Sequence, residues 1–139
     1  MTQVRNHVDV QVRGDLAGGV LPAVVAMLAG RAECPLDRLE EALLLTDALA
    51  AHVPGRSPDG IAHIGLQIDE HGLQVTVHGL NRDGAAGLIA DATLPLVGAV
   101  LERVADEMHT EHDDGAATER LVLRVDYSAP TPATADNVA

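Results

Sequence analysis

Two alternating runs, Ile61 to Asp69 and Leu73 to His78, flank Glu70-His71-Gly72 and constrain this chain more than any other feature. A side-chain period of two places Ile64, Leu66, Ile68, Leu73, Val75 and Val77 on one face of a β-hairpin. Helical periodicity elsewhere supplies cover for that face. Leu16 to Arg31 carries Leu16, Val20, Leu21, Val24, Val25, Met27 and Leu28, although Gly18, Gly19 and Pro22 weaken its first turns and predict a late start or a kink. Pro35 to Val53 is the firmest helix. Pro35 opens it where a missing N–H is harmless, and Asp37, Glu40 and Glu41 complement the dipole of its first turns.

Thr93 to His109 returns to a helical repeat through Leu94, Val97, Leu101, Val104 and Met108. Val4 to Val12 reads as an opening strand with Val4, His7 or Val8, Val10 and Val12 inward. Glu119 to Tyr127 reads as a closing strand with Leu121, Leu123 and Val125 on one face. Pro54 to Gly60 is dense in turn formers and predicts a loop, Gly79 to Asp91 is irregular, and His112 to Ala117 is a polar turn. The order β-α-α-β-β-α-β predicts an α+β fold: a two-layer α/β sandwich with a mixed, mostly antiparallel sheet covered on one face by helices. Residues 1–127 form one domain. Residues 128–139, rich in Ala, Thr and Pro, are expected to be a disordered C-terminal tail.

Tyr127 is the only aromatic residue, so the core is aliphatic and base stacking is nearly excluded. A net charge of -12 removes counterion release as a driving force, which argues against nucleic acid and anionic membrane and is compatible with a basic protein partner. All basic residues are Arg, a composition that points to a GC-rich bacterial genome. Cys34 has no partner for an intramolecular disulfide and no neighbouring cation to activate it, which fits an inert thiol in a reducing cytoplasm. The longest apolar run, Val20 to Ala29, is about half the ~20 residues of a membrane span, so a soluble cytoplasmic protein is expected.

Asp47 carries the chemistry of the sequence. Leu36, Leu39, Leu43, Asp47 and Ala50 recur at helical spacing, which sets an acid on an apolar stripe. A rotated helix, with the carboxylate at the stripe's edge or paired to an Arg, is the plainer alternative. His109-Thr110-Glu111-His112-Asp113-Asp114 clusters metal-ligating types, with His109 and His112 placed to share a helix face, but a second ligand pair is missing and a solvated helix end is the better reading. No metal is assigned. His63, His71 and His78 belong to the hairpin and are read as exposed-face or turn residues. Asp83-Gly84-Ala85-Ala86-Gly87 has the look of a phosphate cradle and is better explained as a connection.

The element order, together with Leu36-Asp37-Arg38-Leu39-Glu40-Glu41-Ala42-Leu43-Leu44-Leu45-Thr46-Asp47-Ala48, the strand Leu73 to Val77, Leu94-Pro95-Leu96-Val97 and Val104-Ala105-Asp106-Glu107, resembles the histidine-kinase-like (GHKL) ATPase superfamily. Its closest resemblance there is to the anti-sigma-factor serine kinases of bacterial partner-switching systems. The likeness covers residues 4 to 127. It implies that Asp47 stands where the family has its catalytic Glu, and Ala51 where the family has the Asn that holds magnesium. Ala51 offers no oxygen. The Asp-x-Gly-x-Gly loop maps onto Gly79, Asp83 and Gly84, with no acid directly after the strand. The second glycine box maps onto Leu94 to Gly98, where Pro95 removes a backbone donor.

The resemblance thus implies a degenerate member without a bound cofactor: a dimeric transcription regulator that sequesters a sigma factor or docks an anti-anti-sigma partner. Arg38, Glu41 and Arg56 are its implied contacts. Two alternatives remain, a divergent serine kinase using ATP and magnesium with Asp47 as base, and a small-molecule sensor whose pocket is lined by Ala48, Ala51, Leu94 and Leu96.

Overall fold

A computed structural model describes residues 6–31, 34–69, 71–94, 98–112 and 118–127. The chain forms β1 (Asn6–Arg13), α1 (Gly14–Arg31), α2 (Leu36–His52), a 3-10 turn (Pro54–Arg56), β2 (Ile61–Ile68) and β3 (Gly72–Leu80). It continues through α3 (Gly84–Asp91), the two-residue strands β4 (Thr93–Leu94) and β5 (Gly98–Ala99), α4 (Val100–Val104), β6 (Glu107–His112) and β7 (Glu119–Asp126). The architecture is α+β, a two-layer sandwich of one open sheet and its helices. Sheet order is β1-β2-β3-β7-β6, and every adjacent pair is antiparallel, so the sheet is not mixed.

Register explains the core. Val10, Ile64, Val77 and Leu121 align across four strands, as do Val8, Leu66, Val75, Leu123 and Met108 across five. Every member of the two rows is buried except Val8 and Met108, which are half-buried at the edges. The six hairpin residues expected to face inward all do so. Helices α1 and α2 pack on each other, α1 over β1 and β2, and α2 against α4 and β7.

Three expectations are corrected. Thr93 to His109 is not one helix: only Val100–Val104 is helical, and Glu107–His112 is the edge strand paired to β7. The outer edge of β7 presents unpaired backbone groups, and pairing them outweighs a helical repeat that ends in six mostly polar residues. Second, the irregular stretch holds α3, whose buried Gly84, Ala85 and Leu88 give it an inner face despite its glycines. Third, Asp47 does not sit on the apolar stripe: α2 takes the rotated alternative. Ala42, Leu45, Thr46, Leu49 and Ala50 are buried, Leu36 is 70% exposed, and Asp47 is exposed. The Thr46 hydroxyl makes burial possible by donating to the Ala42 carbonyl one turn back.

Helix α1 starts at Gly14 and runs through Pro22 without a late start. By length and composition it is the one helix among the described residues apolar enough to cross a membrane, with a mean hydropathy of 1.2. Here one side of it, Ala17, Leu21, Val25, Leu28 and Ala29, is in the core. Val4, Glu70, Pro95, Leu96, Val97, the 113–117 segment and the 128–139 tail lie outside the described residues.

Candidate functional site

The residues mapped onto a nucleotide site are spread over α2, β3, the start of α3, β4 and β5. Asp47 lines a shallow depression with Pro22, Glu40, Leu43 and Leu44, walled by α1 and α2. Ala51, one turn on, is exposed. Gly79 lies inside β3 rather than in a loop, with φ +69 at the register shift between Val77 and Leu80, a backbone conformation that suits glycine. Leu94 and Gly98 pair with each other across β4 and β5.

Asp83 precedes α3 in the left-handed region, φ 62, and its side chain caps nothing. The cap arrives from β7. Glu119 is buried, 4% exposed, and its Oε1 accepts the Ala85 N–H at 2.9 Å. A carboxylate thus already sits at the positive end of α3. Sequence reasoning missed this residue, because Glu119 reads locally as the polar start of a strand and its partner is 34 residues away.

The glycines beside it serve packing. A Cβ on Gly84 would lie 3.1 Å from the Leu80 Cβ, and one on Gly87 would lie 2.4 Å from the Arg56 guanidinium. That guanidinium crosses the helix to reach Asp91 Oδ2, at 3.0 Å from Nε and 2.6 Å from Nη2. Arg56 is therefore committed inside the chain.

So is Arg38. Its Nε donates to the Asp126 carbonyl at 2.8 Å and its Nη2 to Asp106 Oδ2 at 2.6 Å, and Nη1 contacts Glu41. Asp106 Oδ2 also accepts the Asp126 N–H at 2.7 Å, so this network clamps α2 to the end of the sheet. Cys34 lies close by, half-buried beside the Tyr127 hydroxyl. Burial pushes the thiol up from its ordinary value, against a smaller downward pull from Tyr127, which fits the inert thiol expected. Burial raises the Tyr127 phenol as well, with Cys34 adding to it.

The histidines divide. His109 and His112 sit on β6, where residues three apart point to opposite sides, so the shared helix face does not exist. His109 Nε2 is 2.9 Å from Glu111 Oε2, and His112 Nδ1 is 3.8 Å from Glu119 Oε2. Among the described residues no three metal-ligating side chains come together. On the open face of the sheet His63 pairs across strands with His78, and the two join Asp9 and Gln11 around a depression of about 240 Å³. Gly65 makes room there: a Cβ would lie 3.2 Å from Asp9 Oδ1 and 3.5 Å from His78 Nε2. His63 Nε2 is held at 2.9 Å by Asp59 Oδ2. That contact, and then the Ile61 N–H, hold the Asp59 carboxyl below its ordinary range.

Comparison with protein families and with characterised proteins finds no match for this sequence.

Proposed function

We propose that this chain is a regulatory protein-binding domain of the anti-sigma-factor type, bacterial and cytoplasmic, that sequesters a sigma factor or docks an anti-anti-sigma partner without phosphorylating it. The carboxylate of Glu119 on the Ala85 N–H carries the reading. The start of α3, which holds the mapped Gly84, already carries a carboxylate of the chain itself, and a nucleotide phosphate there would meet that negative charge. Two further features support it. Ala51 supplies no oxygen for magnesium, and Asp47 opens toward α1 rather than toward the loop that starts α3. The residues present therefore do not fit a magnesium nucleotide, and no phosphoryl-transfer step follows from them.

The test is calorimetric titration with ATP and ADP, with and without magnesium, at concentrations that reveal a Kd up to about 1 mM, roughly −4 kcal/mol. No heat is expected. Magnesium-dependent binding would return the kinase alternative and make Asp47→Asn the next variant. Co-expression with the sigma factors of the source bacterium should recover a stable complex, and its consistent absence would sink the regulatory reading. The homodimer implied by the resemblance is tested by light scattering of the purified chain.

A further inference from the structure

Helix α1 has an unusual surface. From Leu16 to Gly30 it carries no polar or charged side chain, yet only one side of it is buried. The opposite side presents Leu16, Val20 and Met27 at 56%, 36% and 49% exposure, with exposed Ala23 between them. Positions 16, 20, 23 and 27 follow the helical repeat and make one stripe, about 17 Å long. Alongside runs the depression between α1 and α2, about 340 Å³, where Pro22, Leu43 and Leu44 meet Glu40 and Asp47. A Cβ on Gly18, Gly19 or Gly30 would meet nothing within 4 Å. Nothing among the described residues thus calls for glycine at these positions, although glycine weakens a helix interior.

We propose that the exposed face of α1, with the groove between α1 and α2, docks an amphipathic helix of a partner protein whose apolar side chains meet Leu16, Val20, Met27 and Leu44 and whose basic flank meets Glu40 and Asp47. The charge of the surface selects this occupant. The apolar stripe is uncharged, its α2 rim is acidic, and the whole chain stands at -12. A second copy brings the same excess of acid, and an anionic bilayer is repelled in the same way, whereas a basic helix gains from both the groove and the rim. Three turns of stripe match apolar anchors at i, i+4 and i+7 of the incoming helix. The inference rests on the regulatory reading and supplies the chemistry of its partner.

The test uses the full chain and a labelled helix-forming peptide of about five turns, with Leu on one face and Arg along one flank, against a sister peptide carrying Glu in place of Arg. Anisotropy should show the Arg peptide binding about tenfold or more tighter. Val20→Glu separates docking from bulk attraction. Added negative charge tightens a purely electrostatic association, whereas it should weaken groove docking about tenfold. Gly19→Leu should also weaken binding by placing a bulky side chain on the exposed face beside Val20. Because a Cβ there meets nothing within 4 Å among the described residues, it keeps the test open if Val20→Glu fails to fold.

Equal binding of both peptides, or Val20→Glu and Gly19→Leu proteins that bind as well as the wild type, would overturn the proposal. A wild-type dimer that Val20→Glu dissociates would give the face to a second copy, and adsorption to neutral phosphatidylcholine vesicles lost in Val20→Glu would give it to lipid. Either result replaces the helical partner. Recovery of a sigma-factor complex that Val20→Glu leaves intact would reject this docking face and leave the regulatory reading standing. Peptide binding as expected with no sigma or anti-anti-sigma complex would do the reverse.

Discussion

Glu119 shows how much one residue can decide. Its carboxylate is buried, it satisfies a backbone N–H of α3, and it fills a position where a phosphate-binding protein would leave an open donor. Glu119→Ala leaves that buried N–H without an acceptor and should cost about 2 kcal/mol, a fall in Tm of about 5 to 8 °C by thermal unfolding. Glu119→Gln keeps an acceptor oxygen and loses only the charge, so it should cost less than half as much; equal losses would mean that charge, not the hydrogen bond, dominates. Asp59 offers a test by titration. The contact with His63 is the larger cause of its lowered carboxyl pKa. A carboxyl depressed in the folded state contributes stability above its unfolded pKa and loses it as pH falls through the folded value, so its effect lies in acid, below about pH 4. His63→Gln should move the Asp59 titration, followed by carbon NMR, up toward 3.8. An unmoved titration would assign the depression to the Ile61 N–H. Little of this site was legible in the sequence. Asp47 was conspicuous because Leu36, Leu39 and Leu43 surround it at helical spacing, but α2 turned its Thr46 inward instead, and the residues that matter at α3 meet only through the sheet.

Glycines separate elements that are packed from those left open. Gly72 begins β3, where a Cβ would stand 2.5 Å from the Val125 carbonyl oxygen. Backbone cannot yield as a flexible side chain does, so Gly72→Ala should cost about 2 kcal/mol or more. Gly19 is helical and open, so Gly19→Ala should instead stabilise by about 0.5 to 1 kcal/mol, and chemical denaturation of the pair would show opposite signs. A loss in Gly19→Ala would mean that α1 is strained in a way that its open surroundings do not reveal. Those elements whose signal is local were readable. The β2–β3 hairpin, α2 and β7 stand within a residue or two of their predicted bounds, because strict alternation or a long capped repeat fixes each without help from the rest of the chain. Elements decided by neighbours were not. Met108 continued the repeat of Leu101 and Val104, yet it faces Leu123 across a strand pair, since the free edge of β7 needed a partner. Helix α3 was hidden by Gly84 and Gly87, which are present because Leu80 and Arg56 press against them.

For the whole molecule the governing quantity is charge. Nine Arg face 21 acids, so even with every Arg paired most of the acids repel one another across the surface. Salt acts on both terms. It weakens the ion pairs of Arg56 with Asp91, Arg120 with Glu111 and Arg124 with Asp126, which are partly exposed and worth about 0 to 1 kcal/mol each. It also screens the unpaired acids over a Debye length of about 10 Å at 0.1 M, shorter than the span of the molecule. The repulsive pairs outnumber the attractive ones and lie at longer range, so screening removes more cost than benefit. Raising sodium chloride from low ionic strength to about 0.5 M should therefore increase Tm by a few degrees rather than lower it. The same rise should be smaller in a variant carrying Asp37→Asn and Glu40→Gln, which removes two exposed acids from the solvent side of α2 without touching the core. A Tm that falls with salt would show that the ion pairs, above all the partly buried Arg38 clamp on Asp106 and the Asp126 carbonyl, outweigh the repulsion of the acidic surface.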